Sequence, residues 1–218
     1  MAVNPAHSLP NKHELFIGRS GSGKSQAAKS NERIPKAGVC LVAYDPAHDH
    51  KARRFDTLAG FRGALVKGLR SKKPFRLAYS PPGANILELP ALHEQFCRLI
   101  WAALDGRRKL YMIDEELSAV CNSSLRAPPY LAALLLQGRK FGLIYNGIIQ
   151  FPQSLPKDVY RSVRWLHVGG LPVNGSNYIA EEIGVGQSLI AKLRPLELYE
   201  YDSEKGDSAR LIAYRYKK

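Results

Sequence analysis

Residues 18–25 read Gly-Arg-Ser-Gly-Ser-Gly-Lys-Ser and satisfy the phosphate-cradling pattern G-x-x-x-x-G-K-[ST] at every fixed position. Gly21 and Gly23 let the backbone turn and approach an anion with no Cβ in the way, so that successive N–H groups and a helix N-terminus face it. Lys24 is then placed to reach the β- and γ-phosphates of a nucleoside triphosphate, and the Ser25 hydroxyl to take one position on Mg²⁺. Ser20, Gly21, Ser22, Gly23, Lys24, Ser25 and Gln26 form the candidate binding set for ATP. A serine-glycine surface turn that happens to carry a lysine is the bland alternative. It leaves the flanks unexplained, a short and mostly apolar run Glu14-Leu15-Phe16-Ile17 in front and the helix formers Gln26-Ala27-Ala28-Lys29 behind.

A second chemical feature follows roughly ninety residues later. Leu110-Tyr111-Met112-Ile113 runs into Asp114-Glu115-Glu116, which puts carboxylates at the C-terminal tip of a buried strand, where open parallel sheets bind ligands. The first two can divide the labour. Asp114 is expected to hold Mg²⁺ through its shell, and Glu115 to orient or deprotonate a water for attack on the γ-phosphate. Acids are also common in a first helical turn, which is the plain alternative for the pair and the preferred one for Glu116. A water-activating carboxylate is counterproductive in a small-molecule kinase and needed in a hydrolytic motor, so the pairing favours hydrolysis.

The elements that must position these residues can be followed along the chain. After the glycine loop, residues 38–44 form a continuous apolar run suited to a strand covered on both faces, stopped by Asp45-Pro46. Residues 61–69 have helical spacing, 75–79 a short strand pattern, and 89–104 an amphipathic helical pattern that ends near Gly106. A helix is expected over 130–140, a strand over 143–150, a short helix around 157–163 and a strand over 165–168. Alternating strands and helices predict an α/β fold with a mainly parallel sheet flanked by helices. Residues 196–201 and 210–216 flank Ser203-Glu204-Lys205-Gly206-Asp207 and predict a C-terminal β-hairpin. One domain over 1–218 is expected, with a core over about 12–168 and a helical and hairpin extension over 169–218.

Composition narrows the setting. The 218 residues are 45% hydrophobic, enough for one substantial core, and every long apolar stretch is broken by charge, against a membrane span. The N-terminus lacks the basic-then-apolar order of a secretory signal, and Cys40, Cys97 and Cys121 show no metal-type spacing, so a reducing cytoplasm is expected. Thirty-two Lys and Arg against nineteen Asp and Glu give a net charge of +13. Between residues 51 and 76 nearly every charge is positive, with Arg53, Arg54, Lys67, Arg70, Lys72 and Lys73 as candidate contacts to a nucleic-acid backbone. A solvated face that aids solubility remains the alternative.

These residues together resemble the FtsK/HerA superfamily of DNA-pumping ATPases. The likeness rests on 18–25, on the strand ending in Asp114-Glu115, on Gly138-Arg139-Lys140-Phe141-Gly142, and on Ile148-Ile149-Gln150-Phe151-Pro152-Gln153-Ser154-Leu155-Pro156. It spans residues 12–168, and Asp45-Pro46 is similar to the family's aspartate-proline turn. The resemblance implies a RecA-like P-loop NTPase core. It assigns Gln150 as the sensor of the γ-phosphate and Arg139 as an arginine acting across a subunit boundary, with Arg161 and Arg164 as second choices. It further implies Mg·ATP between neighbours in a homo-oligomeric ring, a hexamer, through which double-stranded DNA is threaded. The chain departs from the cellular members in showing no membrane helices and no room for an N-terminal barrel or C-terminal DNA-reading domain. It is most similar to the genome-packaging ATPases of tailless, membrane-containing viruses and phages, whose partners would be capsid-vertex or membrane-associated packaging proteins and whose location would be host cytoplasm or virion. A P-loop phosphotransferase, and an ATPase for virion extrusion or conjugation, are the alternatives. His48 and His50 with Asp45 and Asp49 are read as a solvated turn rather than a metal cluster, and Trp165 as packing.

Overall fold

The glycine loop leaves the end of β1 (Glu14–Ile17), a strand buried along its whole length, and enters α1 (Lys24–Ser30). The structure is a computed structural model and describes residues 2–83, 85, 87–121, 125–206 and 209–216. The next elements are β2 (Cys40–Tyr44), β3 (Arg53–Phe55), α2 (Leu58–Ser71), β4 (Phe75–Tyr79), α3 (Leu89–Ala103), β5 (Leu110–Asp114) and α4 (Leu117–Val120). They are followed by α5 (Pro129–Gln137), a 3₁₀ turn at Gly138–Phe141, β6 (Leu143–Ile149), a second 3₁₀ turn at Pro152–Ser154, α6 (Lys157–Ser162) and β7 (Trp165–Val168). The chain closes with α7 (Val173–Ile183), α8 (Gln187–Ala191), β8 (Glu197–Asp202) and β9 (Arg210–Ala213).

The nine strands among the described residues form one sheet in the order β3-β4-β2-β5-β6-β1-β7-β8-β9. Pairing is parallel from β3 to β7, as the strand-helix alternation predicts, because each connection crosses over through a helix or a long loop. The expected hairpin is β8 and β9, and it does not stand apart: β8 pairs antiparallel with β7, so the extension continues the core sheet. β3 was not expected. It is an edge strand whose two arginines are exposed, and a three-residue polar strand offers no apolar alternation to read.

The two faces of the sheet are covered unequally. The larger core packs α2 through α8 against Leu15, Ile17, Val42, Tyr44, Met112 and Tyr145. The smaller packs Ala27 and Ala28 of α1, with Ile34, against Phe16, Leu41, Ala43, Ile113 and Ile148. Strand parity therefore assigns each residue at a strand tip to one face or the other. All three cysteines are free, and no helix among the described residues is long and apolar enough to cross a membrane.

Candidate nucleotide-binding and hydrolysis site

The glycine loop is held at the C-terminal edge of the sheet by its neighbours. Gly18 N–H donates to Ile149 at the end of β6, Arg19 N–H to Gly170 beyond β7, and Leu196 N–H to Ser22. Gly23 has φ of +94°, and a Cβ there would lie 2.9 Å from the Leu196 backbone nitrogen, so only glycine fits this turn. α1 then starts at Lys24 with its first amides free of intrahelical partners. The Ser22 hydroxyl and the Gln26 amide oxygen are buried with no hydrogen-bond partner among the described residues. A polar, unsatisfied cradle of this kind suits a ligand rich in oxygen.

Lys24 is buried, and the cost of desolvating its ammonium lowers its pKa from the usual value; the negative charges of Glu116, Glu115 and Asp49 act in the opposite sense. Glu115 and Glu116 are thus among the charges that act on Lys24. Gln150, one residue past β6, donates through Nε2 to both Glu116 carboxylate oxygens at 3.2 and 3.3 Å, while its own N–H and that of Phe151 donate to Ser118 Oγ. β6 lies between β5 and β1 in the sheet, which is what brings Gln150 between the acids and the glycine loop. Glu116 is a helix-start acid, as expected: it is the N-cap residue of α4, in a left-handed conformation with φ of 60°, and its carboxylate also accepts from Gln150.

Asp114, the residue expected to hold Mg²⁺, points to the other face of the sheet. It is paired in register with Tyr44 and lies on the large-core face, whereas Ile113 packs against α1. Both its oxygens are taken, at 2.9 Å by His93 Nε2 and, for Oδ2, at 2.7 Å by the Tyr145 hydroxyl. Glu115, one residue on, emerges on the α1 face.

There Glu115 meets a residue the sequence did not single out for the site. His50 Nε2 lies 2.7 Å from Glu115 Oε1, and both side chains are buried. The solvated-turn expectation for the Asp45–His50 loop therefore holds for exposed His48 and fails for His50. Buried Asp45 organises the loop: Oδ1 accepts from Asp49 N–H and Oδ2 from His50 N–H, and Arg54 donates to the carbonyls of His48 and His50. Arg54, a candidate contact to nucleic acid, thus also braces the loop while staying exposed. Beside His50 opens a cavity of about 510 Å³ lined by Gln26, Lys29, Asp49, Lys51, Arg76 and others.

The remaining candidates lie elsewhere. Arg139 sits in the 3₁₀ turn that precedes β6 and donates to the carbonyls of His7 and Leu9. β6 spans seven residues. At ~3.3 Å per residue, Arg139 and Gln150 stand at opposite edges of the sheet, roughly 23 Å apart. Arg164 is tied to Asp202 and Glu204 and stacks on Trp165, which Arg33 also covers, while Arg161 is exposed. Arg53 lies over the Phe55 ring, and Lys67, Arg70, Lys72 and Lys73 are exposed along and after α2.

No family model matches the chain. It is 28% identical over 163 residues to Protein P9 of Pseudoalteromonas phage PM2, covering 75% of this chain and 70% of that protein. The fold matches the genome packaging NTPase B204 of Sulfolobus turreted icosahedral virus 2, solved with sulfate, at a TM-score of 0.71 and 15% identity, covering 96% of this chain and 99% of B204. B204 has also been solved with AMP, AMPPCP and ATP-gammaS. VirB4 of Thermoanaerobacter pseudethanolicus matches at a TM-score of 0.70 and 11% identity, over 95% of this chain and 90% of that one. The chain thus shares its fold with the genome packaging NTPase B204 and with VirB4, and is similar in sequence to Protein P9 of phage PM2.

Proposed function

We propose that the chain is an ATP-hydrolysing subunit of a motor that moves double-stranded DNA, of the viral genome-packaging kind. The observation that carries this is the meeting of Lys24, Glu115, Glu116 and Gln150 at one sheet edge, on a fold shared along nearly the whole of B204. In this reading the chain, 1–218, is one domain, a reading supported by strands of the core and of the extension belonging to one sheet.

The donors fit Mg²⁺, because Ser25, Glu115 and Glu116 offer hard oxygens. Bound there, the ion would screen the charge of the terminal phosphates. Ser25 and Glu116 are the residues assigned to it, and Gln150 keeps Glu116 in place. The glycine-loop amides and Lys24 bind the phosphates. Glu115, with one oxygen held by His50, presents the other to a water and takes its proton. Arg139, at the far edge of its own sheet, completes the site of the next subunit in a ring. Exposed Lys67, Arg70, Lys72 and Lys73 supply candidate contacts to the DNA backbone.

Phosphate release measured with and without duplex DNA tests the proposal. Release that rises on adding DNA is expected. Transfer of the γ-phosphate to a small acceptor, indifferent to DNA, would replace the motor by a phosphotransferase.

A further inference from the structure

We infer that His50 is a positioning residue for Glu115, and that the Asp45 loop exists to deliver it. The role rests on the assignment of Glu115 as the carboxylate that activates water. His50 Nε2 and Glu115 Oε1 are 2.7 Å apart, although the two residues are 65 positions apart in sequence. Neither side chain is more than a few per cent exposed, so the bond is formed away from competing water.

The backbone on each side is fixed. Asp45 follows β2 and binds the amides of Asp49 and His50 through its two carboxylate oxygens, at 2.8 and 3.0 Å. Its N–H donates to Tyr79 at the end of β4, its carbonyl accepts from the Ser80 hydroxyl, and Arg54 closes the loop at 2.6 Å from the His50 carbonyl. Glu115 N–H donates to the Tyr44 carbonyl, one residue before Asp45. The ends of β2 and β5 are thereby tied, and the imidazole and carboxylate are carried on the two tied ends.

An unrestrained glutamate has three side-chain torsions and samples many orientations, of which few point an oxygen at an attacking water. Fixing Oε1 leaves Oε2 with a defined direction, and about 1 Å of misplacement at such a group costs up to roughly 100-fold in rate. A carboxylate held only by solvent would also be drawn toward Lys24, whose ammonium attracts it. His50 opposes that collapse.

The test is steady-state ATP hydrolysis by wild type, His50→Ala, His50→Gln, Glu115→Gln and the His50→Ala/Glu115→Gln double variant, with ATP affinity measured by equilibrium binding on each. His50→Ala is expected to lower kcat by about 10- to 100-fold with ATP affinity within about threefold of wild type. His50→Gln, which retains a donor of similar reach, is expected to recover most of the loss. The double variant should be no slower than Glu115→Gln alone, because residues acting through one group are not additive. Wild-type kcat in His50→Ala beside an inactive Glu115→Gln overturns the role of His50 alone. An active Glu115→Gln overturns the assignment beneath it. Should His50→Ala not fold, failure of folded His50→Gln to exceed the rate of Glu115→Gln contradicts the inference.

Discussion

At the scale of single residues, the acids at the tip of β5 have separate partners, His93 and Tyr145 for Asp114, His50 for Glu115 and Gln150 for Glu116. Asp114 is buried in hydrogen bonds from His93 and Tyr145. Asp114→Asn keeps the shape but removes the charge those donors face, and is expected to cost about 1–3 kcal/mol in a denaturant titration. Glu116→Gln is expected to raise the Mg²⁺ concentration needed for half-maximal hydrolysis while leaving kcat at saturating Mg²⁺ within a few-fold. His13, at the start of β1, carries a pH signature. Burial, with a smaller contribution from the charge of Arg139, pushes its pKa down to about 3. Between pH 6.5 and 3 the unfolded chain therefore binds a proton that the folded chain refuses, and stability falls as pH falls through that window. Its share is roughly 1.4 kcal/mol per pH unit, so His13→Gln should narrow the gap between urea midpoints measured at pH 7 and pH 4.5.

At the scale of elements, the glycine loop is one layer of a stack rather than a free turn. Leu196, which itself has φ of 70°, packs its backbone against Gly23 and bonds Ser22. Gly23→Ala forces either the loop or the 194–196 segment to move, at a cost of about 1–3 kcal/mol for the strained φ alone, and ATP affinity should drop with it in equilibrium binding. The order of motifs was legible in sequence because each is local: Gly18 to Ser25, the apolar run before Asp114, and Gln150 at a strand end all read directly. The face on which each tip residue lies was not. β5 is apolar on both sides, Met112 toward one core and Ile113 toward the other, so no polar alternation marks which acid turns toward α1. His50 was hidden for another reason. Its partner is set by sheet order, which places β2 beside β5, and turn-forming residues such as Asp45-Pro46 read as a solvated loop when that neighbour is unseen.

At the scale of the whole molecule, parallel pairing gives the sheet two unlike edges. The C-terminal edge gathers Lys24, Glu115, Glu116, Gln150 and His50, and the opposite edge carries Arg139 ahead of β6. An arginine about 23 Å from its own site can serve catalysis only in a neighbour. Arg139→Ala should hydrolyse ATP poorly alone, and mixing it with Lys24→Ala protein should restore some activity, since some interfaces then pair an intact loop with an intact arginine. Central to the account is that Glu115 activates water while Lys24 and the glycine loop hold ATP. The most direct measurement is turnover and ATP binding for Glu115→Gln beside wild type on the same preparations. The account predicts retained binding with turnover reduced by about 100-fold or more, and turnover equal to wild type would contradict it.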